Sequence, residues 1–322
     1  MTGQPIVETV GLRRTFKGKG KNDAVEAVAG VDLTIAAGDI FGFLGPNGAG
    51  KTTTLRILAT LIPRTAGTAR VAGFDVAHQP CEVRERIGYV AQAGGSYREA
   101  TGREELVIQG RLFGMSKTDA GKRAIEILEA LDLTEAGDRT CGTYSGGMRR
   151  RLNIGIGMVH RPALLFLDEP TTGLDPQARA RMWEEIVKLR ETGTSVFLTT
   201  HYLEEADALC DRLAIIDHGR IVAEGSPTEL KREIAGDVVT IGVNGNSERV
   251  VRLLGAQTFV REAGIEDGMV RLYVDKGEEA VPLVLRLLDA NGLAPSTISL
   301  HRPSLDDVFL KKTGRSLRES AA

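Results

Sequence analysis

The segment Gly45-Pro46-Asn47-Gly48-Ala49-Gly50-Lys51-Thr52-Thr53 narrows the possible folds further than any other part of the chain. It fits the spacing G-x-x-x-x-G-K-[ST], which functions only between a strand and a helix. Its glycines let backbone N–H groups converge on an anion without side chains in the way, and a helix beginning near Lys51 points its positive dipole end at the same place. Just upstream, Asp39-Ile40-Phe41-Gly42-Phe43-Leu44 is an apolar run that closes on the first glycine, as a buried strand feeding such a loop should. Lys51 is then placed to reach β- and γ-phosphates, and Thr52 to ligate Mg2+.

A second apolar run, Ala163-Leu164-Leu165-Phe166-Leu167, ends on Asp168 and Glu169. In an open parallel sheet, ligand groups gather at the carboxyl ends of strands, so this pair is expected beside the phosphate loop. Asp168 suits a Mg2+ shell, because a hard cation takes oxygen ligands, and Glu169 is the candidate general base for an attacking water. Taken alone, Asp-Glu-Pro would serve equally well as a turn, since Pro170 fixes its own φ and biases Glu169 away from helix. Residues Asp175 to Glu191 read as a helix with Met182, Ile186 and Leu189 on one face and Arg181, Glu184, Glu185 and Lys188 outside it. Gly193 stops it, Thr194 to Thr200 reads as the next buried strand, and His201 stands at that strand's carboxyl end, where it can orient a water. Ser145-Gly146-Gly147 precedes a helix expected over Met148 to Val159 and offers another N-terminus to an anion; on its own it is a plain cap. Arg149-Arg150-Arg151 reads as a solvated or ion-paired face.

Each motif occurs once, and their order resembles that of the ATP-binding subunits of ABC transporters over roughly the first two-thirds of the chain. Gly45 to Thr53 is similar to the Walker A loop, Gln92 to the Q-loop glutamine, and Ser145 to Arg149 to the signature loop. Leu164 to Glu169 is similar to Walker B, Gly173-Leu174-Asp175 to the D-loop, and His201 to the switch histidine. The resemblance implies an α/β fold, a P-loop ABC ATPase domain with a mixed-sheet core and a helical signature subdomain. It implies ATP hydrolysis with Lys51, Gln92, Glu169 and His201 in catalytic roles and Thr52, Gln92 and Asp168 around Mg2+. It also implies two copies facing head to tail, with each ATP between Lys51 of one and Ser145, Gly146, Gly147 and Met148 of the other, near Asp175. Phe16, at the end of an early strand signal from Ile6, fits the family's adenine-stacking position.

Within that family, Tyr144-Ser145-Gly146-Gly147-Met148-Arg149-Arg150-Arg151-Leu152 is similar to the daunorubicin/doxorubicin-resistance branch, whose subunits pair with an ABC-2 type membrane protein. Thr101 to Leu106, Leu305 to Leu310 and Thr313-Gly314-Arg315 are similar to the same branch, while Asn153 departs from the aspartate expected there. The implied function is export of a drug-like, lipid or natural-product cargo; an importer subunit and a soluble ABC ATPase are the alternatives. A DNA-acting type would need a long coiled-coil insertion or zinc modules, and a translation-factor type two nucleotide domains; the sequence shows neither.

At 322 residues the chain allows about two domains. We expect an ATP-binding domain over residues 1–236 and an accessory domain over 237–322. In the second, strand, helix, strand, strand, helix and strand signals follow from Val238 to Leu300, the β-α-β-β-α-β order of a small ferredoxin-like α+β unit. A last helix, Ser304 to Thr313, presents Leu305, Val308, Phe309 and Leu310 as a packing face, and the tail from Ser316 to Ala322 is expected to fray. The net charge of −2 gives no basic field to recruit nucleic acid, and Lys17-Gly18-Lys19-Gly20-Lys21 is most simply a turn. Cys81, Cys141 and Cys210 lack metal or disulfide spacing, which suits a reducing compartment. No signal-peptide pattern and no run of about 20 apolar residues occurs, so the expected location is peripheral, on the cytoplasmic side of the plasma membrane, with another chain supplying the membrane path.

Overall fold

Buried apolar strands alternating with amphipathic helices organise the chain up to Gly225. In order these are β1 Val7–Lys17, β2 Ala24–Ile35, β3 Ile40–Leu44, α1 Lys51–Leu58, β4 Ala66–Val71, β5 Phe74–Asp75, α2 Pro80–Arg84, β6 Ile87–Val90 and α3 Gly102–Leu112. Then come α4 Lys117–Ala130, α5 Gly146–Met158, β7 Leu164–Asp168, α6 Pro176–Glu191, β8 Ser195–Thr200, α7 Leu203–Leu209, β9 Arg212–Asp217 and β10 Arg220–Gly225. The computed structural model describes residues 4–17, 24–92, 94–234, 236–243, 245–266 and 268–314. The expected turn beyond Lys17 and the tail from Ser316 lie outside them.

The central sheet runs β10-β9-β3-β8-β7-β6, parallel from β9 to β6, with β10 folded back antiparallel on β9. Strands β3, β7 and β8 are buried at every position, as parallel strands covered on both faces must be. Phe197 on β8 is the hub that fixes their spacing, with edge-on rings of Phe41 at 5.5 Å and Phe43 at 5.6 Å and the tilted ring of Phe166 at 5.7 Å. A separate antiparallel sheet, β2-β1-β4-β5, completes the mixed architecture. Helices α3, α4 and α5 enclose a smaller core around Leu106, Ile127, Leu128 and Leu152, the expected helical subdomain.

The second compact unit begins at Pro227, so the division falls after Ser226 rather than after residue 236. Helix α8, Pro227–Ile234, belongs to this unit because it packs beside the last helix, α11 Leu305–Thr313. Between them lie β11 Asp237–Val243, α9 Ser247–Gly255, β12 Val260–Glu266, β13 Met269–Val274, α10 Gly277–Ala290 and β14 Pro295–His301. The antiparallel order β12-β13-β11-β14 is that of a ferredoxin-like sheet. Its core joins Val239, Ile241, Leu272 and Val274 to Val250 and Leu254 of α9 and Val284 and Leu288 of α10. On α11, Leu305, Val308 and Phe309 are buried, but Leu310 is 47% exposed, one position too far round the helix to pack.

Two further expectations change. Helix α5 starts at Gly146 instead of Met148, because Ser145 is its N-cap. Glu185 is buried rather than outside α6, with a carboxylate oxygen 3.0 Å from Lys188 Nζ, so a polar position in the helical pattern lies on the inner face.

The signature helix α5 reaches β6 through glycine contacts: a side chain on Gly88 would collide with the carbonyl oxygen of Gly157 and with Leu165. Gly88→Ala is expected to push α5 off the sheet and to destabilise by about 1–3 kcal/mol. Calorimetry should show the melting temperature lowered by several degrees; an unchanged value would refute the close approach.

Candidate active site

The phosphate loop leaves β3 at Gly45 and enters α1 at Lys51. Gly50, at φ +103°, caps the helix in a left-handed conformation and abuts the carbonyl of Ala27, which leaves no room for a side chain. The β9–β10 turn grips the loop from outside, since Gly219 donates its N–H to Ala49 O at 2.9 Å. Lys51 is 4% exposed and its ammonium folds back onto the loop, donating to Gly45 O at 2.7 Å and Pro46 O at 2.9 Å. Burial pushes Lys51 below its ordinary value, and Glu169, 3.7 Å away, opposes this.

Because β7 lies beside β8, and β8 beside β3, their carboxyl ends deliver the carboxylates to this loop. Asp168 Oδ1 accepts hydrogen bonds from Thr52 Oγ1 and from Thr199 Oγ1, each at 2.8 Å. Glu169 follows at φ +47°, a left-handed conformation that costs a non-glycine residue about 1–3 kcal/mol and marks a position held by its surroundings. What holds it is Thr199, whose carbonyl and hydroxyl oxygens accept from Glu169 N at 3.1 and 3.0 Å. The strained backbone turns the Glu169 carboxylate towards Gln92 Nε2 at 3.0 Å, Thr172 Oγ1 at 3.2 Å and His201 Nδ1 at 3.3 Å. The His201 contact is close but off-axis, without an aligned hydrogen bond. His201 holds the Glu169 carboxyl below the ordinary carboxylate value; burial opposes it and Lys51 assists. The Glu169 carboxyl is therefore deprotonated at neutral pH. One cleft of about 460 Å³ is lined by Asn47, Lys51, Thr52, Gln92, Glu169 and His201, among others.

Two predicted groups lie elsewhere. Phe16 does not line this cleft; it is 38% exposed on β1 with the Arg14 guanidinium 4.5 Å over its ring. Ser145 to Met148 and Asp175 share a different cleft of about 330 Å³. There Ser145 Oγ accepts from Met148 N at 3.2 Å and Asp175 Oδ1 from Ala178 N at 2.8 Å, each capping a helix. No residue lines both clefts.

Three functional contributors were missed. Thr199 was read only as part of a strand, although a hydroxyl at a parallel strand's carboxyl end is a signal. Glu205, fully buried on α7, accepts from Thr171 Oγ1 at 2.7 Å and Trp183 Nε1 at 3.2 Å and ties the segment after Pro170 to α6. Arg150 is buried, not solvated. Three successive helical residues point about 100° apart, so the three arginines do not share one face, and Arg150 is the one that faces inward.

The family model described as ABC transporter matches residues 28–172, and the one described as ATP-binding protein DrrA1-3-like, C-terminal domain, matches residues 225–313. The daunorubicin resistance ATP-binding protein DrrA2 of Streptomyces coeruleorubidus is 47% identical over 299 residues, covering 92% of this chain and 93% of that protein. The daunorubicin/doxorubicin resistance ATP-binding protein DrrA of Streptomyces peucetius is 43% identical over 333 residues, covering 100% of this chain and 98% of that protein. Among solved structures, a dimeric ATP-binding cassette in a post-hydrolysis state, bound to ADP and Pi, matches with a TM-score of 0.62 at 25% identity, over 68% of this chain and 98% of that one. Fold and site thus define an ATP-binding cassette, an ATPase. The chain belongs to the family of ABC transporter ATP-binding subunits, on its daunorubicin/doxorubicin-resistance branch.

The depressed Glu169 value yields a directional test. Its stabilising contribution is complete above the unfolded value near 4.5 and is lost as pH falls through the folded value. His201→Ala removes the leading cause, so the Glu169 titration should move upward and acid unfolding should begin at a higher pH. Carboxyl carbon NMR of labelled glutamate reads this directly, and a titration that stays in place would contradict the assignment.

Proposed function

We propose that this chain is the ATP-hydrolysing subunit of an ABC-2 type exporter, working as a head-to-tail pair and driving a drug-like, lipid or natural-product cargo through a separate integral-membrane subunit. The carrying observation is the separation of the Lys51 cleft from the Ser145 cleft in one chain. An ATP that uses both is accommodated between two copies, and the dimeric cassette bound to ADP and Pi supports that arrangement. The match to the DrrA1-3-like C-terminal domain and the resistance proteins supports export. Among the described residues no helix is long and apolar enough to cross a bilayer, so we assign the membrane path to a partner and place this chain peripherally on the cytoplasmic face.

The converging Thr52 hydroxyl and Asp168 carboxylate fit a divalent cation, which prefers oxygen ligands. Thr52 and Asp168, with Gln92 nearby, would hold Mg2+, which would supply positive charge against the charge that develops on the phosphates. Lys51 releases the loop carbonyls to meet the γ-phosphate, and the loop N–H groups hold its oxygens. Glu169 takes a proton from the attacking water, which His201 orients. Gly45 to Thr53 cradles the nucleotide, Phe16 stacks on its adenine, and Ser145 to Met148 with Asp175 closes the site from the second copy. ATP chemistry is assigned to the unit that ends at Ser226. The α+β unit that begins at Pro227 serves dimer stability, and nucleic acid is not a partner.

Glu169→Gln should keep ATP binding, form an ATP-dependent dimer by light scattering, and hydrolyse about 10²-fold more slowly or worse. Wild-type turnover, or a chain that stays monomeric at saturating ATP, would overturn the reading.

A further inference from the structure

We infer that Arg150 is a positioning residue that couples a subunit's signature loop to its own catalytic carboxylates, so that hydrolysis at one ATP site depends on engagement at the other. The inference rests on the two-copy reading above.

Arg150 lies in the second turn of α5, the helix that Ser145 caps, and is 7% exposed. Its guanidinium has five N–H donors, and five backbone carbonyls accept them. Nε donates to Pro170 O at 2.8 Å. Nη1 donates to Ala91 O at 2.7 Å and Gln92 O at 3.2 Å. Nη2 donates to Asp168 O at 3.0 Å and Glu169 O at 3.1 Å. These carbonyls belong to just two segments, the one carrying Gln92 and the one carrying both carboxylates. One rigid, planar side chain therefore fixes the two against each other and both against α5. Between the segments lies the 3.0 Å bond from Gln92 Nε2 to Glu169 Oε2, so the geometry of the base depends on their spacing.

Asn153, three residues along α5, adds a second tether, accepting from Gly95 N at 3.4 Å. The loop after β6 thus follows α5 at two points. When Ser145, Gly146 and Gly147 take hold of a nucleotide, any tilt of α5 is passed through Arg150 to the main chain of Gln92, Asp168 and Glu169. Backbone contacts transmit such a displacement more faithfully than contacts to mobile side-chain ends, and sub-ångström errors at a reacting centre already matter to rate. The two ATP sites of a pair are then linked reciprocally.

The test compares Arg150→Met with Arg123→Met in the full chain. Arg123 also holds α5 by main-chain carbonyls, donating to Met158 O at 3.1 Å and Val159 O at 3.2 Å, but at the helix end away from the site. The expected result is that Arg150→Met lowers kcat about tenfold or more, changes KM for ATP less than about threefold, and brings the Hill coefficient from above one to about one. Arg123→Met should lose thermal stability yet keep kcat and cooperativity within about twofold. Arg150→Lys, which reaches some of the carbonyls, should fall between Arg150→Met and wild type, and it serves alone if Arg150→Met does not fold. Wild-type kcat and cooperativity in the Arg150 variants, a non-cooperative wild type, or equal losses in Arg150→Met and Arg123→Met would each overturn the coupling. If Glu169→Gln forms no ATP-dependent dimer, the two-copy reading fails; if it dimerises while Arg150→Met turns over normally, only this inference fails.

Discussion

One carboxylate oxygen, Asp168 Oδ1, is the point on which the site depends. It accepts from Thr52 at the start of α1 and from Thr199 near the end of β8, each at 2.8 Å, while itself ending β7. A carboxylate only 1% exposed would be unstable without such partners, and the two hydroxyls that satisfy it also pin the carboxyl ends of β7 and β8 to the start of α1. The strand order β3-β8-β7 makes this possible, and the Phe197 cluster below fixes its spacing.

From that fixed point the rest of the chemistry is a matter of backbone direction. Thr199 also holds the N–H of Glu169, and the left-handed turn there swings the carboxylate towards Gln92, His201 and Lys51. The phosphate loop is preformed by glycines, but Lys51 is engaged with its own loop carbonyls. The site is therefore assembled at its carboxylate end, while at its cationic end the ammonium is held by its own loop. The signature cleft shares no lining residue with this one, and its Gly146 faces open space.

The legible parts were those set by local pattern. The phosphate loop, the apolar runs of β3, β7 and β8, and the β-α-β-β-α-β order all follow from short-range rules of burial and turn chemistry. What stayed hidden depends on distant packing. Arg150 has the same neighbours in sequence as two partly exposed arginines, and only the meeting of the Gln92 and Asp168 segments buries it. Glu185 occupies a helix position that looked polar-facing, and its burial is set by the surface α6 happens to cover. Helix α8 reads as a continuation of what precedes it, until its packing beside α11, more than seventy residues later, assigns it to the second unit. Phe16 follows from family position alone, and the fold sets it on β1 with the Arg14 guanidinium over its ring.

The proposed function requires that a closed, ATP-bound pair of these chains work on a separate membrane protein. The most direct measurement is to trap Glu169→Gln with ATP in the cell that encodes the chain, solubilise the membranes gently, and identify co-purifying proteins by mass spectrometry. The expected result is enrichment of one polytopic membrane protein that has no ATP-binding domain of its own. Recovery of ribosomes, DNA-bound complexes or only soluble proteins would contradict it.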